Sequence, residues 1–380
     1  MSRAAALLLA LPSALMTSVL PAPGALPADP AMGAPPVARP SGTGGVFPTV
    51  TPGRVLRFPL DGGSHPAFRT EWWYVTGWVD TPTHESLGFQ VTFFRTRPGI
   101  DEDNPSAFTA HQLIIAHVAL SDAARGSLRQ DQRIERAGFG LAGADTDDTH
   151  VWIGNWRLER GPADEYHADV DADGFALHLT LQPQQPPLLE GEAGFSRKGP
   201  DPRAASYYYS LPHLAVGGEI ARAGTRLSVH GEAWLDHEWS SEYLDAQAVG
   251  WDWTGLNLDD GSSLMAFRIR GPAGDTRWAG ATWRNPAGAV DTYPMADIRF
   301  EPRRWWRSPR TGIRYPVSIE LTVGPHRLEL APLMPDQEND TRLSTGAIYW
   351  EGAVRALAEG RSAGRGYLEL TGYGERLRLR

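Results

Sequence analysis

The chain has 380 residues, a formal net charge of −9 and no cysteine. This length can bury one large core or two ordinary ones, and the lack of cysteine excludes disulfides, thiolate catalysis and cysteine-bound zinc. We expect no cluster of basic residues interleaved with exposed aromatic residues, so nucleic acid is not an expected partner.

The N-terminus has the pattern of an export signal over residues 1–28. Arg3 precedes an apolar run from Ala4 to Met16, and small residues follow. Residues 29–47, rich in Pro, Ala and Gly, are typical of a flexible linker. The alternative is an uncleaved, disordered leader. No apolar run reaches the ~20 residues of a membrane span, so the sequence predicts a periplasmic or secreted protein.

Alternating apolar and polar residues, with 41 Gly and 31 Pro, predict an all-β chain with little helix. The pattern breaks at residues 240–248, which suggests one domain over 48–240 and another over 241–380. Residues 123–149 are predicted as a long loop and residues 355–359 as a short helical turn. Strands are predicted at 71–79, 88–96, 111–122, 152–158, 168–170, 175–181, 205–212, 231–239, 250–258, 263–270, 276–283, 298–305, 318–323, 327–330, 348–354 and 366–372.

Residues 231–253 form the most informative segment, because they hold four of the 14 tryptophans. In a strand, Ala233, Leu235, His237 and Trp239 share one face. His237 is then the single ionisable group on an apolar stripe, and desolvation favours its neutral form. It is either a core histidine bonded to the backbone or a proton donor or acceptor in a tryptophan-lined pocket.

No generic catalytic motif stands out. The chain lacks a phosphate-binding glycine loop, a nucleophile elbow and a two-histidine zinc motif. Its carboxylates are scattered, which usually marks solvated faces. Arg69 and Glu71 beside Trp72 form either a buried salt bridge that organises the fold or part of the site. No cofactor or metal is expected.

Several ordered motifs together resemble the AttH-like, carotenoid 1,2-hydratase-related family of lipocalin-like proteins, over residues 50–380. The resemblance implies two lipocalin-like β-barrels in tandem, each able to hold an apolar ligand, and it implies secretion. The motifs are His65–Gly77, Gly88–Arg95, Ala116–Asp122, Ala205–Pro212, Gly231–Trp239, Gly250–Trp253 and Gly366–Tyr373.

The resemblance also implies a site. In the hydratases a His and a Trp with the spacing of His237 and Trp239 act in adding water to a terminal C=C bond. An acid protonates the alkene, and aromatic faces stabilise the carbocation. The hydratases also use a Tyr and an Asp two residues apart in the next strand. This chain has neither at residues 263–267, so Asp252 is the candidate base.

We therefore predict an exported protein that binds a lipid or isoprenoid in an aromatic cavity near the domain joint. One alternative is a hydratase or hydrolase that uses His237 as general acid or base. Another is a partner-binding role beside a membrane transporter. The predicted lining residues, in addition to Trp239, are Trp73, Tyr74, Tyr207, Trp251 and Trp253.

Overall fold

A computed structural model of the protein describes residues 46–376. The predicted export signal, 1–28, and nearly all of the predicted linker, 29–47, lie outside the described residues. Within the described range the helical segments are two 3-10 turns, Leu60–Gly62 and Met295–Asp297, and everything else regular is strand. Neither turn is long or apolar enough to cross a membrane.

Thirteen strands form the first sheet. All their pairings are antiparallel, as expected for strands joined by short turns. The strands are β1 (Thr70–Asp80), β2 (Ser86–Thr96), β3 (Leu113–Asp122), β4 (Arg129–Arg136), β5 (Ala142–Ala144), β6 (His150–Ile153), β7 (Trp156–Arg160), β8 (Tyr166–Ala172), β9 (Phe175–Pro183), β10 (Leu188–Leu189), β11 (Phe195–Arg197), β12 (Ala205–Arg222) and β13 (Thr225–Ser240).

Ten strands form the second sheet. It begins after the irregular segment that follows β13, and its pairings are antiparallel as well. The strands are β14 (Gly250–Leu258), β15 (Ser263–Arg270), β16 (Thr276–Arg284), β17 (Val290–Pro294), β18 (Ile298–Arg307), β19 (Arg314–Val323), β20 (His326–Pro332), β21 (Glu338–Thr341), β22 (Ala347–Ala358) and β23 (Arg361–Leu370).

Each sheet curls around a core of its own. The first runs in the order β4-β3-β2-β1-β13-β12-β9-β8-β7-β6-β5, and its two ends approach because β3 and β4 contact β6. Arg133 of β4 supports this closure by donating to the carbonyl of Ile153 on β6. The second runs β17-β16-β15-β14-β23-β22-β20-β19-β18, with β16 against β18. The fold is therefore all-β with two barrel-like sheets, as the sequence predicts.

A third apolar cluster lies between the sheets and joins them. Trp78 of β1 reaches across, and its indole nitrogen donates to the carbonyl of Gly366 on β23 at 2.9 Å. Gly88 of β2 is another point of contact, because a Cβ there would lie 2.5 Å from Ala353 Cβ and 2.7 Å from the Tyr367 hydroxyl. The two sheets thus pack so closely that residue 88 has no room for a side chain and must be glycine.

Two local predictions were wrong. Residues 123–149 contain β4, which carries polar side chains on both faces and so gives no alternation to detect, and β5, which is only three residues long, Ala142–Ala144. β4 is an edge strand, where charged residues are common because one side faces water. Residues 355–358 continue β22 instead of forming a helical turn, and the chain reverses at Glu359, which has a φ of 51°.

Candidate functional site

The structure separates the predicted site residues into three places. Trp73, Tyr207, His237 and Trp239 lie in the interior of the first sheet, with the first-sheet core. Tyr74, Trp251 and Trp253 lie in or against the cluster between the sheets. Asp252 lies on the opposite face of β14, where it is bound by Arg268, Arg270 and Tyr373.

His237 is completely buried beneath a cap formed by residues 54–68. Its ring stacks on Trp73 at a centroid distance of 4.7 Å. His65 of the cap stacks on Trp239 at 3.7 Å with the planes 6° apart. The β1–β13 register places Trp73 directly opposite His237 and Glu71 opposite Trp239. Strand pairing therefore assembles the cluster, and the cap closes it.

Glu71 is the centre of this cluster. Its carboxylate accepts hydrogen bonds from the backbone and ring nitrogens of His65, from His237 Nε2 at 3.0 Å and from Arg95 Nε at 2.8 Å. Arg69, which the sequence placed beside it, instead lies over the Phe47 ring at 4.6 Å. The buried ion pair is thus Glu71–Arg95.

The protonation states follow from these contacts. Burial raises the pKa of Glu71, but Arg95 and the two histidines outweigh it and hold the pKa well below its usual range. Burial lowers the pKa of His65, but bonds to Asp61 and Glu71 raise it overall. Burial lowers the pKa of His237. We infer a charged His65 and a neutral His237.

His65, Glu71 and His237 could in principle hold a metal ion, since their ligand atoms lie within 4.8 Å of one another. The ring nitrogens of His65 and His237 already donate hydrogen bonds to one carboxylate oxygen of Glu71, and Arg95 donates to the other. A divalent cation would have to displace the His65 proton next to a guanidinium. The donor set therefore fits a proton-bearing network better than a metal.

Tyr209 links this network to a small cavity. With the Nε2 hydrogen of His237 directed at Glu71, Nδ1 accepts from the Tyr209 hydroxyl at 3.2 Å. Tyr209 lines a cavity of about 280 Å³ together with Phe58 and Tyr166. His237 itself does not line it.

A second cluster lies against the opposite face of β13, and we call it the joint site. It consists of Asp236 and Glu238 of β13 together with Glu190, Lys198 and Ser210. Lys198 Nζ lies 2.8 Å from Glu238 Oε1, and both side chains are buried. The ammonium also lies over the rings of Tyr208 and Phe267, at 4.7 and 4.2 Å from their centroids. Glu238 therefore has a fixed cation.

Asp236 has three donors. It accepts from Tyr208 Oη at 2.8 Å, Trp234 Nε1 at 2.6 Å and Ser210 Oγ at 2.6 Å. Tyr208 in turn accepts from Trp253 Nε1 at 3.0 Å. Three donors favour the ionised form of this carboxyl.

Ser210 also lies 2.8 Å from Glu190 Oε1. A serine hydroxyl has one proton, and it cannot donate to two carboxylates at once. With the Ser210 proton directed at Asp236, Glu190 must supply a proton to Ser210. One of the two carboxyls must therefore be protonated, and the other two donors to Asp236 place that proton on Glu190.

Burial is the main cause of the unusual acidities here. It raises the pKa of Glu190 to about 8 and that of Asp236 to about 7, in each case with help from a neighbouring carboxyl. The pKa of Glu238 is raised by burial too, although Lys198 opposes the shift. Near neutral pH the joint site therefore holds a neutral carboxylic acid beside ionised neighbours, an arrangement suited to proton transfer.

A cavity of about 660 Å³ adjoins the joint site. Gly191, next to Glu190, and Thr282, which accepts from the Gly191 amide at 3.4 Å, both line it. Ser196, the hydrogen-bond partner of Lys198 at 3.0 Å, lines it as well. The rest of the wall is largely apolar and aromatic, from Phe195, Met265, Phe267, Trp278 and Tyr293. None of the lining residues predicted from the sequence is among those that form this wall.

The second sheet adds a carboxyl pair to the same interface. Glu351 of β22 is buried, and its direct cross-strand partner Glu369 of β23 is partly buried. Burial and their mutual repulsion raise the pKa of Glu351 well above its usual range, and burial raises that of Glu369 to about 7. Trp251 Nε1 donates to Glu369 at 2.8 Å. The pair therefore retains at least one proton near neutral pH.

The joint site was not predicted from the sequence, because scattered carboxylates were interpreted as solvated. A signal was present in β13, where Asp236 and Glu238 share a face with Trp234. A tryptophan on that face argues against solvent, and it could have marked both carboxyls as buried. Glu190 has no comparable signal, because it lies in an irregular stretch between β10 and β11.

The AttH-like family model matches residues 49–373. A solved structure of a Nitrosomonas europaea protein assigned to AttH is 51% identical, with a TM-score of 0.81, over 86% of this chain and all of that one. Kievitone hydratase from Nectria haematococca is 15% identical, with a TM-score of 0.64, over 87% of this chain and 97% of that one. CghA with Sch210972 is 12% identical, with a TM-score of 0.50, over 80% of this chain and 89% of that one. The last two show a shared fold alone. No curated protein matches the sequence.

Proposed function

This chain belongs to the AttH-like family, and we propose that it is an enzyme that adds water to, or removes water from, an apolar unsaturated molecule. The substrate would bind in the cavity beside the joint site. Its class would be a lipid or isoprenoid, since the wall is mostly apolar and aromatic. The likeness to a protein named a hydratase supports this reaction class at the level of fold.

The observation that carries the proposal is the protonated Glu190. Ser210 can satisfy both Glu190 and Asp236 only if one of the two bears a proton, and the further donors to Asp236, Tyr208 and Trp234, place that proton on Glu190. A carboxylic acid that remains neutral near pH 7 still holds the proton that a general acid must donate. Glu190 does not line the cavity itself, but two residues beside it do, its chain neighbour Gly191 and its side-chain neighbour Thr282.

The chemistry balances without a cofactor. Glu190 gives its proton to one alkene carbon, and the C=C π electrons form the new C–H bond. The cation on the other carbon faces the rings of Phe267 and Trp278. Water attacks that carbon and loses a proton, which returns to Glu190. While Glu190 is ionised, Ser210 can direct its proton to Glu190 instead of Asp236, which keeps the donors Tyr208 and Trp234. Dehydration is the same path reversed.

Labelled water tests the proposal. Acyclic isoprenoid alkenes and unsaturated fatty acids are incubated with the protein in H₂¹⁸O, and mass spectrometry measures ¹⁸O in the alcohol product. We expect Glu190→Gln to reduce incorporation by about 10²-fold or more, the usual contribution of a general acid. Glu219→Gln, a change of the same kind at a half-exposed side chain of β12, is the control. Equal turnover in Glu190→Gln and the wild type would contradict the proposal.

A second candidate is binding and delivery of an apolar ligand without turnover, which the aromatic cavity wall favours. Organic extracts of protein purified from its native compartment would then contain a stoichiometric lipid. Such a lipid without any labelled product would favour delivery over catalysis. Export to the periplasm and an association with a membrane transporter belong to this proposal as well.

His237 offers an alternative site for acid–base chemistry, through Tyr209 and the cavity of about 280 Å³. Glu190 and His237 are both completely buried, but His237 reaches only the smaller cavity, and only through Tyr209, which makes it the weaker candidate. Tyr209→Phe distinguishes the two, because it breaks the link from His237 to the small cavity and leaves the joint site intact.

A further inference from the structure

The hairpin of β18 and β19 presents a surface that the proposed function does not use. Residues 298–314 contain six arginines and one glutamate, a local charge of +5 in a chain whose net charge is −9. β18 is the last strand in the order of the second sheet. We call residues 298–314 the arginine hairpin; its arginines are Arg299, Arg303, Arg304, Arg307, Arg310 and Arg314, and all six are exposed.

A tryptophan is exposed in the middle of this charge. The Trp305 side chain is 46% exposed, and the Arg314 guanidinium lies 5.3 Å from its ring centre. Our expectation of no basic cluster with exposed aromatic residues was therefore wrong for this segment. The sequence motif, Arg303-Arg304-Trp305-Trp306-Arg307, was visible, but the exposure of its aromatic ring was not.

Few of these arginines are neutralised. Arg303 pairs with Glu320, and Arg310 pairs with Asp336. Arg307 donates to the carbonyl of Gly312, which leaves its charge uncompensated. Glu301 is the single acidic residue within the hairpin. The surface therefore has a net positive charge to offer a ligand.

Arginine on an edge strand can also serve to prevent pairing with other sheets. That role does not explain Trp305, because an exposed indole would promote association. Arginine with an amphipathic tryptophan is instead the composition of protein surfaces that sit at the headgroup level of a membrane.

We propose that the arginine hairpin docks the protein on anionic phospholipid. The arginines would contact phosphate groups, and the Trp305 indole would enter the interface. The observation that selects this occupant is charge complementarity: the segment has a formal charge of +5, of which Glu320 and Asp336 offset two charges, in a chain whose net charge is −9. Basic residues near an anionic leaflet each contribute about 1 kcal/mol, and the attraction falls with salt.

Vesicle flotation tests this with the full-length protein. We expect binding to vesicles of phosphatidylglycerol and phosphatidylethanolamine, weak binding to phosphatidylcholine, and loss of binding in high salt. Arg304→Glu with Arg307→Glu should weaken binding at least roughly tenfold. Trp305→Ala should weaken it while preserving the salt dependence.

The control has the same charge change at the exposed starts of two strands elsewhere, Arg226→Glu in β13 with Arg361→Glu in β23. Equal loss in both double variants would show a net-charge effect and overturn the proposal. Absence of binding to anionic vesicles would overturn it too, as would binding to a single-stranded oligonucleotide in preference to vesicles. Circular dichroism and thermal unfolding establish that each variant is folded. None of these readouts depends on the joint site.

Discussion

Lys198 Nζ lies 2.8 Å from Glu238 Oε1 between the two sheets, and the two side chains are 1% and 4% exposed. This buried ion pair compensates the charge of Glu238, whereas Glu190 and Asp236 have no salt bridge among the described residues. Lys198 compensates Glu238, and Asp236 has three hydrogen-bond donors, so the remaining proton lies on Glu190. The protonation states of the joint-site carboxyls are therefore set before any ligand binds.

Breaking this ion pair should be costly. Lys198→Met leaves Glu238 buried without its cation, and we expect the free energy of unfolding to fall by about 3–5 kcal/mol in urea titrations. Lys198→Met combined with Glu238→Gln removes both charges and should recover much of that loss. A double variant as unstable as the single one would show that packing, and not charge, causes the effect.

Glu190 should make stability depend on pH. Its pKa is raised from 4.5 to about 8, so the folded state retains a proton that the unfolded state loses. Its contribution is fully present below about pH 4.5 and is lost as the pH rises towards about 8, with a slope of up to about 1.4 kcal/mol per pH unit. Urea titrations across this window should show a steeper decline in the wild type than in Glu190→Gln. Parallel curves for the two proteins would contradict the raised pKa.

Glu71 should be essential for the first sheet. Glu71→Gln keeps the shape of the side chain but leaves Arg95 buried without a carboxylate, and Arg95 has no exposed surface. We expect about 3 kcal/mol or more of destabilisation. Glu219→Gln is the matched control at a half-exposed carboxylate, and its free energy of unfolding should match the wild type within about 0.5 kcal/mol. A small effect of Glu71→Gln would show that water reaches the cluster.

The contact between the sheets should be sensitive to a single methyl group at residue 88. Gly88→Ala would bring its Cβ to 2.5 Å from that of Ala353, so we expect a loss of about 1–3 kcal/mol from overpacking. Gly217→Ala is the control, since a methyl group there would have no neighbouring atom within 4 Å. Equal stability of both variants would mean that the sheets can separate freely.

Much of the fold follows from alternation. In β13 the sequence correctly assigns Ala233, Leu235, His237 and Trp239 to one buried face, because a strand repeats every two residues. The hairpin of β14 and β15 was equally predictable from its Asp-Gly turn, and Gly261 has a φ of 87°. β4 was not predicted from the sequence, because neither of its faces is apolar.

The site was less predictable, because it depends on what covers each face. Alternation places the side chains of Asp236 and His237 on opposite faces of β13. It does not show that a second sheet buries the Asp236 face. Trp73 and Tyr74 are adjacent in sequence, yet they belong to different cores. Asp252 is separated from Trp251 and Trp253 in the same way, and Arg268 and Arg270 hold it. Such assignments depend on the packing of two sheets, which one sequence does not encode as a local pattern.

A neutral carboxylic acid at Glu190 is central to the proposed function, and infrared spectroscopy can observe it without a substrate. The measurement is the difference spectrum between the wild type and Glu190→Gln, taken well below and well above pH 8. We predict a carboxylic acid C=O band from Glu190 at the lower pH, shifted in D₂O and replaced by a carboxylate band at the higher pH, consistent with a pKa of about 8. A carboxylate band from Glu190 at both values would contradict the proposed function, because no acid would then be present beside the cavity.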